Sequence, residues 1–279
     1  MDVIINADAD CLPPGSTQFL TQYNYLLNLM IAMGFHEERP PVADFLRQIH
    51  KLEGEWLIAE PIYWEASHND AMIVAAGQQL HLTDDESRLL FRDIASFLAE
   101  DSMSLHYHNA GTWLVSVDDK SKISSKPGSL MLHQSMMPVI KSMDDTMYWQ
   151  RLMTELQMYL SNHPGSQRDT GLTSVNGLWF YGSGDFKFDS TKTIVTDDEQ
   201  LLAAFPSNMK RLSLDEPKFN HSIVVINDYQ TMNMNNLLSA IGNQPVRWFW
   251  NNIAYSSPRK SWWARLRGRL NACQKKRTI

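Results

Sequence analysis

Short apolar runs alternating with stretches of helical period are the feature that most limits what this chain can become. Residues 3–6 read as a short buried strand that stops at Asp8 and Asp10, ahead of a Pro13-Pro14-Gly15 turn. Phe19, Tyr23, Leu26, Leu27, Met30 and Met33 then recur at spacings of three and four, one face of a helix that Gly34 is placed to stop. Pro40-Pro41 breaks the chain before a second helix over residues 42–52. Runs 56–64 and 71–75 predict strands. Thr83 and Glu86 have capping-box spacing into a helix bearing Leu89, Leu90, Ile94, Phe97 and Leu98. Residues 104–108 and 112–117, joined through Asn109-Ala110-Gly111, predict a hairpin.

Further along, the spacing predicts a helix over 144–161, with Met147, Leu152, Leu156, Tyr159 and Leu160 toward the core. A strand over 178–181 opens into Gly182-Ser183-Gly184, and another follows at 193–195. Thr196 with Glu199 predicts a second capping box into 201–205, and 222–226 is the clearest buried strand of the C-terminal half. Helical segments between strands predict an α/β fold: a mixed, partly parallel sheet flanked by helices, followed by a basic C-terminal helix.

Composition enters through charge. The 279 residues carry a formal −6, 43% are hydrophobic, and only 13 are Gly and 12 Pro, which excludes disordered and collagen-like chains. The −6 is a cancellation. All 31 acidic residues lie at or before Asp228, where 16 bases oppose them for −15, and residues 229–279 hold nine Lys or Arg and no acid. The expected organisation is an α/β body over 1–256, with a sub-boundary near the polar stretch 118–130, and a basic amphipathic tail over 257–279. Ser257-Pro258 fits an N-cap and first helical position, after which Trp262, Leu266, Leu270 and Cys273 share a face. Trp262, Trp263, Arg265, Arg267 and Arg269 are the candidate interaction residues. The tail has three readings: packing on its own acidic body, docking on a protein partner or second copy, and contact with an anionic membrane surface. Charge repulsion from the −15 portion argues against nucleic acid.

The N-terminus lacks a basic leader, no run reaches the ~20 apolar residues of a membrane span, and the two cysteines, Cys11 and Cys273, form no CxxC. A cytoplasmic protein with reduced thiols is expected.

Several constellations could carry chemistry. Asp8 and Asp10 follow the first strand, where α/β folds commonly place ligand groups, and a DxD there could hold Mg2+. His68 lies near Asp70 and could serve as a general base or a third ligand. His106 and His108 alternate on one strand face and could reach one metal. Solvated carboxylates, turn chemistry and a polar hairpin face explain the same residues structurally. The seven methionines between Met131 and Met158 read as core filler. Nucleophile-elbow, P-loop and HExxH motifs are absent.

The most specific stretch is Thr154-Glu155-Leu156-Gln157-Met158 through His163-Pro164, Arg168, Gly171 and Asn176 to Leu178-Trp179-Phe180-Tyr181-Gly182-Ser183-Gly184. It resembles the RpfE-type bacterial regulatory protein family, whose members are often labelled cofactor-independent phosphoglycerate mutase. Glu60-Pro61-Ile62-Tyr63-Trp64, Asp70 and the Glu86 helix also look like that family's pattern, so the resemblance covers roughly residues 55–185. Gly177 stands where the family usually has Ser. The His-Pro, Arg, Gly, Asn and Gly-x-Gly order is similar to a segment of the archaeal-type phosphoglycerate mutases, which use two metal ions and a Ser or Thr nucleophile. No Asp-His dipeptide or Thr-x-Asp-His occurs here.

The resemblance implies a retained pocket for a phosphorylated small molecule, formed by His163, Arg168, Asn176, Gly182 and Gly184, without the reaction. The expectation is a regulatory or ligand-binding protein, a catalytically degenerate relative of the mutases and not an enzyme. The alternative is a metal-dependent phosphoglycerate mutase or phosphotransferase using Mn2+ or Mg2+, with Asp8, Asp10 and His68 as candidate ligands. A third reading is an interaction scaffold acting through the tail.

Overall fold

The computed structural model describes residues 1–257 apart from 69, 167, 169–171, 189–190, 215–218 and 220. The tail residues Trp262, Trp263, Arg265, Arg267 and Arg269, and the turn glycine Gly171, lie outside the described residues. The chain divides into two compact units, one formed by 1–35 with 187–279 and the other by 36–186. In chain order the first contributes β1 (Asp2–Ile5), β2 (Thr17–Phe19) and α1 (Tyr25–Met33). The second is α2 (Val42–His50), β3 (Trp56–Ala66), β4 (Ala71–Ala76), α3 (Asp84–Ala99), β5 (Leu105–Asn109), β6 (Thr112–Ser116), α4 (Met137–Lys141), α5 (Tyr148–Ser161) and β7 (Gly177–Tyr181). The first then resumes with β8 (Thr193–Thr196), α6 (Glu199–Ala204), β9 (Met209–Arg211), β10 (Ser222–Ile226), α7 (Met234–Ile241), β11 (Val246–Phe249) and β12 (Ala254–Ser257).

The first unit carries the expected mixed, partly parallel sheet, in the order β2-β12-β11-β1-β10-β8-β9. β1 lies between parallel β10 and β11, with Val3 opposite Val224 and Trp248, while β12 and β2 close one edge antiparallel. Both faces of β1 are buried, which is why Val3-Ile4-Ile5 reads as a continuous apolar run. Val3, Ile5, Val224 and Ile226 pack in one cluster with Leu237, Leu238 and Ile241 of α7. α1 packs on β1 and β10 outside that cluster, so it covers the opposite face.

Asn24 caps α1 by accepting the Leu26 and Leu27 N–H groups, and Gly34 ends it in the left-handed region as expected. Phe19 departs from the expectation: it lies in β2, held against Ala254 of β12. The cap of α6 differs too. Asp198 accepts the Gln200 and Leu201 N–H groups, and the Thr196 hydroxyl instead accepts the Asp198 N–H. A carboxylate two residues further along the chain took the position that spacing had given to Thr196.

The second unit is built on an antiparallel sheet, β4-β3-β6-β5, with β7 also paired to β3. The eleven-residue β3 serves three partners along its length: β6 over 56–59, β7 over 58–62 and β4 over 62–66. α2 packs on β3, α5 on β7 and α3 on β5. Three tryptophans, Trp113, Trp149 and Trp179, are fully buried, and each indole N–H finds an acceptor, as burial requires. Trp113 donates to the Ser87 hydroxyl, Trp149 to the Ser121 carbonyl and Trp179 to the Lys126 carbonyl. The last two bonds tie residues 118–130 into this unit. Met131, Met136, Met143 and Met153 are buried core, whereas Met147 precedes α5 and is exposed. Among the described residues no helix is long and apolar enough to cross a membrane.

Candidate functional site

The structure splits the residues nominated from the sequence. Asn176 precedes β7 and Gly182 follows it, and six residues of extended chain place them about 20 Å apart. His163 and Arg168 instead bind acids on one face of α3, seven residues apart. His163 Nε2 lies 3.1 Å from Asp93 Oδ2, while its Nδ1 accepts the Gly165 N–H at 3.0 Å. A ring whose Nδ1 accepts must carry its proton on Nε2, so the imidazole donates to Asp93.

The Arg168 side chain is only 3% exposed, and all five of its donors are engaged. Nε and Nη2 form a fork onto Glu86 at 3.0 and 3.2 Å. Nη1 donates to the Leu80 and Thr173 carbonyls, and Nη2 also reaches the His81 carbonyl. Asn176 pairs its amide with both the N–H and the C=O of Trp64, acting as one more rung beside β3. The polar atoms of these three residues are thus held by the protein itself.

Gly182 has φ +87° and its carbonyl accepts the Ala43 N–H at the start of α2, while a Cβ would meet Val42 at 2.9 Å. Only glycine lets the turn lie this close to the helix. Gly184 lines a cleft of about 560 Å3 at the end of the sheet where β3 begins between the ends of β6 and β7.

The metal candidates fall in different units, Asp8 and Asp10 after β1 and His68 after β3. Among the described residues no group of three or more His, Cys, Asp or Glu is arranged to hold a metal ion.

The first unit presents a second polar locus, one the sequence reading did not identify. β1 and β10 are neighbours whose following helices lie on opposite faces, and α/β sheets bind ligands outside the carboxyl ends of strands at such a switch point. Asparagines stand there. Asn251 donates to Asn6 Oδ1 at 3.3 Å, and Asn6 donates to Asn227 Oδ1 at 2.8 Å. Asp197, after β8, accepts the backbone N–H groups of Asn227 and Asp228. Asn252 clamps the Ala9 N–H and C=O, fixing the loop that carries Asp8. Two amide positions remain open among the described residues: the Asn227 NH2, and the buried Asn251 Oδ1, which has no partner. The exposed Asn227 amide donor suits a hydroxyl or carbonyl oxygen, whereas Asn251 Oδ1 is buried away from solvent. The sequence signal was available, because each apolar strand run ends directly in Asn or Asp.

Two buried titratable features belong to the second unit. His106 and His108 share a strand face as expected, and His50 at the end of α2 joins them. His50 Nε2 is 3.0 Å from His108 Nδ1, and the His50 and His106 rings are 4.4 Å apart. Burial first, then repulsion from His50 and His106, pushes His108 down to about 4, and burial also lowers the other two. The unfolded chain therefore takes up protons near pH 6.5 while the folded cluster stays neutral. The histidine contribution to stability should fall as pH drops from 6.5 toward 4, by up to ~1.4 kcal/mol per pH unit from His108. His108→Gln should flatten this limb in denaturant titrations. An unchanged limb would show that the cluster does not stay neutral.

The second feature is Glu60 in the middle of β3. Burial raises its carboxyl to about 8, against the pull of the Gly128 N–H, and Oε2 has no hydrogen-bond partner. Gly77 and Gly128 pack against it so closely that a Cβ on either would run into the carboxyl. The residue was quoted above only as part of a family pattern, although an acid inside the run Leu57-Ile58-Ala59-Glu60-Pro61-Ile62 is itself a legible anomaly.

No model of a known protein family matches the chain, and no curated protein matches it. Among solved structures it is similar to the cofactor-independent phosphoglycerate mutase from Thermoplasma acidophilum DSM 1728. Identity is 13%, the alignment covers 92% of this chain and 89% of that one, and the TM-score is 0.35. Likeness at that level carries no argument about chemistry, and the fold stated above rests on strand pairing alone.

Proposed function

We propose that the protein binds a small hydroxylated, phosphorylated molecule at the carboxyl-end crevice of the first unit without turning it over. This makes it a catalytically degenerate relative of phosphoglycerate mutases of the RpfE type, with a regulatory role. One observation carries the hydroxyl recognition: the switch-point positions after β1, β10 and β11 are the carboxamides Asn6, Asn227 and Asn251, hydrogen-bonded into a chain, while the phosphoryl group is taken from the sequence resemblance to the mutases. Amides orient a hydroxylated ligand by hydrogen bonds. Phosphoryl transfer instead asks for cations and a nucleophile at that place.

Calorimetric titration with 3-phosphoglycerate tests the proposal. Binding is expected without interconversion of 2- and 3-phosphoglycerate in the presence of Mn2+. Asn227→Ala should weaken binding about tenfold, the loss of one good hydrogen bond. Turnover by protein holding stoichiometric Mn2+ or Mg2+ would overturn the reading in favour of a metal-dependent mutase.

A further inference from the structure

The cleft in the second unit carries its own chemistry, independent of the crevice above. It opens where β3 starts between the ends of β6 and β7, and its 560 Å3 lies within the range of small-molecule sites. One wall is α2. There Asp44 is fully used: Oδ1 accepts Arg47 Nε at 2.6 Å, and Oδ2 accepts Gln48 Nε2 at 3.0 Å and the Phe186 N–H at 2.8 Å. Arg47 is not. Its Nη1 donates to the Leu52 carbonyl, while Nη2 makes no hydrogen bond among the described residues, on a side chain 29% exposed. Asp44 and Leu52 thus hold the guanidinium in place while half of its fork stays unspent.

The opposite wall is the loop after β6. Lys120 is tethered to the Asp101 carbonyl and the Tyr148 ring, but Lys122 is exposed with no partner among the described residues. Trp56, Leu57, Val117 and Ile123 supply the apolar lining of the same cleft. Glu55 and Asp185 also line the cleft and are exposed, able to turn their charge to water.

We infer that this cleft binds a small organic anion, its carboxylate or phosphate head between Arg47 and Lys122 and a compact apolar body on Trp56 and Ile123. A positioned guanidinium with free donors recognises such heads by charge-assisted hydrogen bonds, and a ring or branched alkyl group gains from covering the apolar lining.

Full-length protein titrated with phenyl phosphate and phenylacetate, followed by calorimetry and ligand-observed NMR, tests this. At least one should bind, and phenol and inorganic phosphate, which lack the head or the body, should each bind at least about tenfold more weakly. Lys122→Glu lies on an exposed side chain and should abolish binding. Arg47→Lys keeps a cation beside Asp44 but loses the fork, and should weaken binding about tenfold. Asn227→Ala in the other unit should leave it unchanged, so failure here and failure of the crevice reading are separable. The inference falls if neither probe binds at millimolar concentration, if phenol or inorganic phosphate binds as well as the probes, or if Lys122→Glu and Arg47→Lys leave affinity intact.

Discussion

Glu60→Gln should remove a contribution that lowers the native protein's stability as pH rises from 4.5 to 8, and that opposes the histidine contribution below pH 6.5. The folded carboxyl holds its proton up to about 8, whereas in the unfolded chain it ionises near 4.5. Across that window the unfolded state has released a proton that the folded state keeps, so the contribution of Glu60 to stability falls as pH rises. The slope is about 1.4 kcal/mol per pH unit, which amounts to roughly 4 kcal/mol by pH 8. Glutamine has nearly the same shape and does not titrate, but its amide brings a second buried donor that costs on the order of 1–3 kcal/mol if unpaired. The variant should therefore be less stable than the native protein at pH 5 and more stable at pH 8. Urea unfolding at several pH values reads the crossing directly. Parallel curves for the two proteins would mean that Glu60 does not stay protonated in the fold.

Arg168→Ala should destabilise the second unit by about 4 kcal/mol, in the range found for breaking buried ion pairs. The loss combines the fork onto Glu86 with three backbone acceptors, Leu80, His81 and Thr173, that no other side chain replaces. Arg168→Lys should recover less than half, because an ammonium offers three donors from one point and cannot span these acceptors. The same change has a titration readout. The Arg168 guanidinium, then the Thr83 N–H, hold Glu86 down to about 2. Its stabilising effect is complete above pH 4.5 and fades as pH falls toward 2. In Arg168→Ala the Glu86 carboxyl should move back toward its ordinary value, seen by NMR. A variant of native stability with Glu86 unmoved would remove the structural role assigned to Arg168.

Local signals in this sequence were read correctly where local chemistry decides the outcome. Thr83 and Glu86 form their capping box, Gly34 ends α1, and the buried runs of β1, β3 and β10 are strands. What escaped depends on partners far along the chain. β2 and β12 are short strands of three and four residues, the first at the sheet edge, that exist through pairing with each other and with β11. Phe19 was drawn into the first for that reason, though its spacing fitted a helix.

The candidate residues divide the same way. His106 and His108 were placed on one face from periodicity alone, but His50 reaches them across 56 residues. Arg168 was legible as important, and only the fold reveals that its five donors serve Glu86 and three carbonyls. Asn6, Asn227 and Asn251 are separated by more than 200 residues at the extremes, so no window of sequence could join them.

The placement of β1 has a consequence for how the chain is made. β1 is made before its two partners, β10 and β11, which lie more than 200 residues downstream, beyond the whole of residues 36–186. At translation speeds of 5–20 residues per second, Val3-Ile4-Ile5 waits roughly 10–45 s for Val224 and Trp248 to be synthesised. The second unit is complete in the nascent chain before either arrives. β1 can therefore take its place in the sheet only after these later strands are made. During that interval β1 is an apolar strand with two open edges, a substrate for chaperone protection.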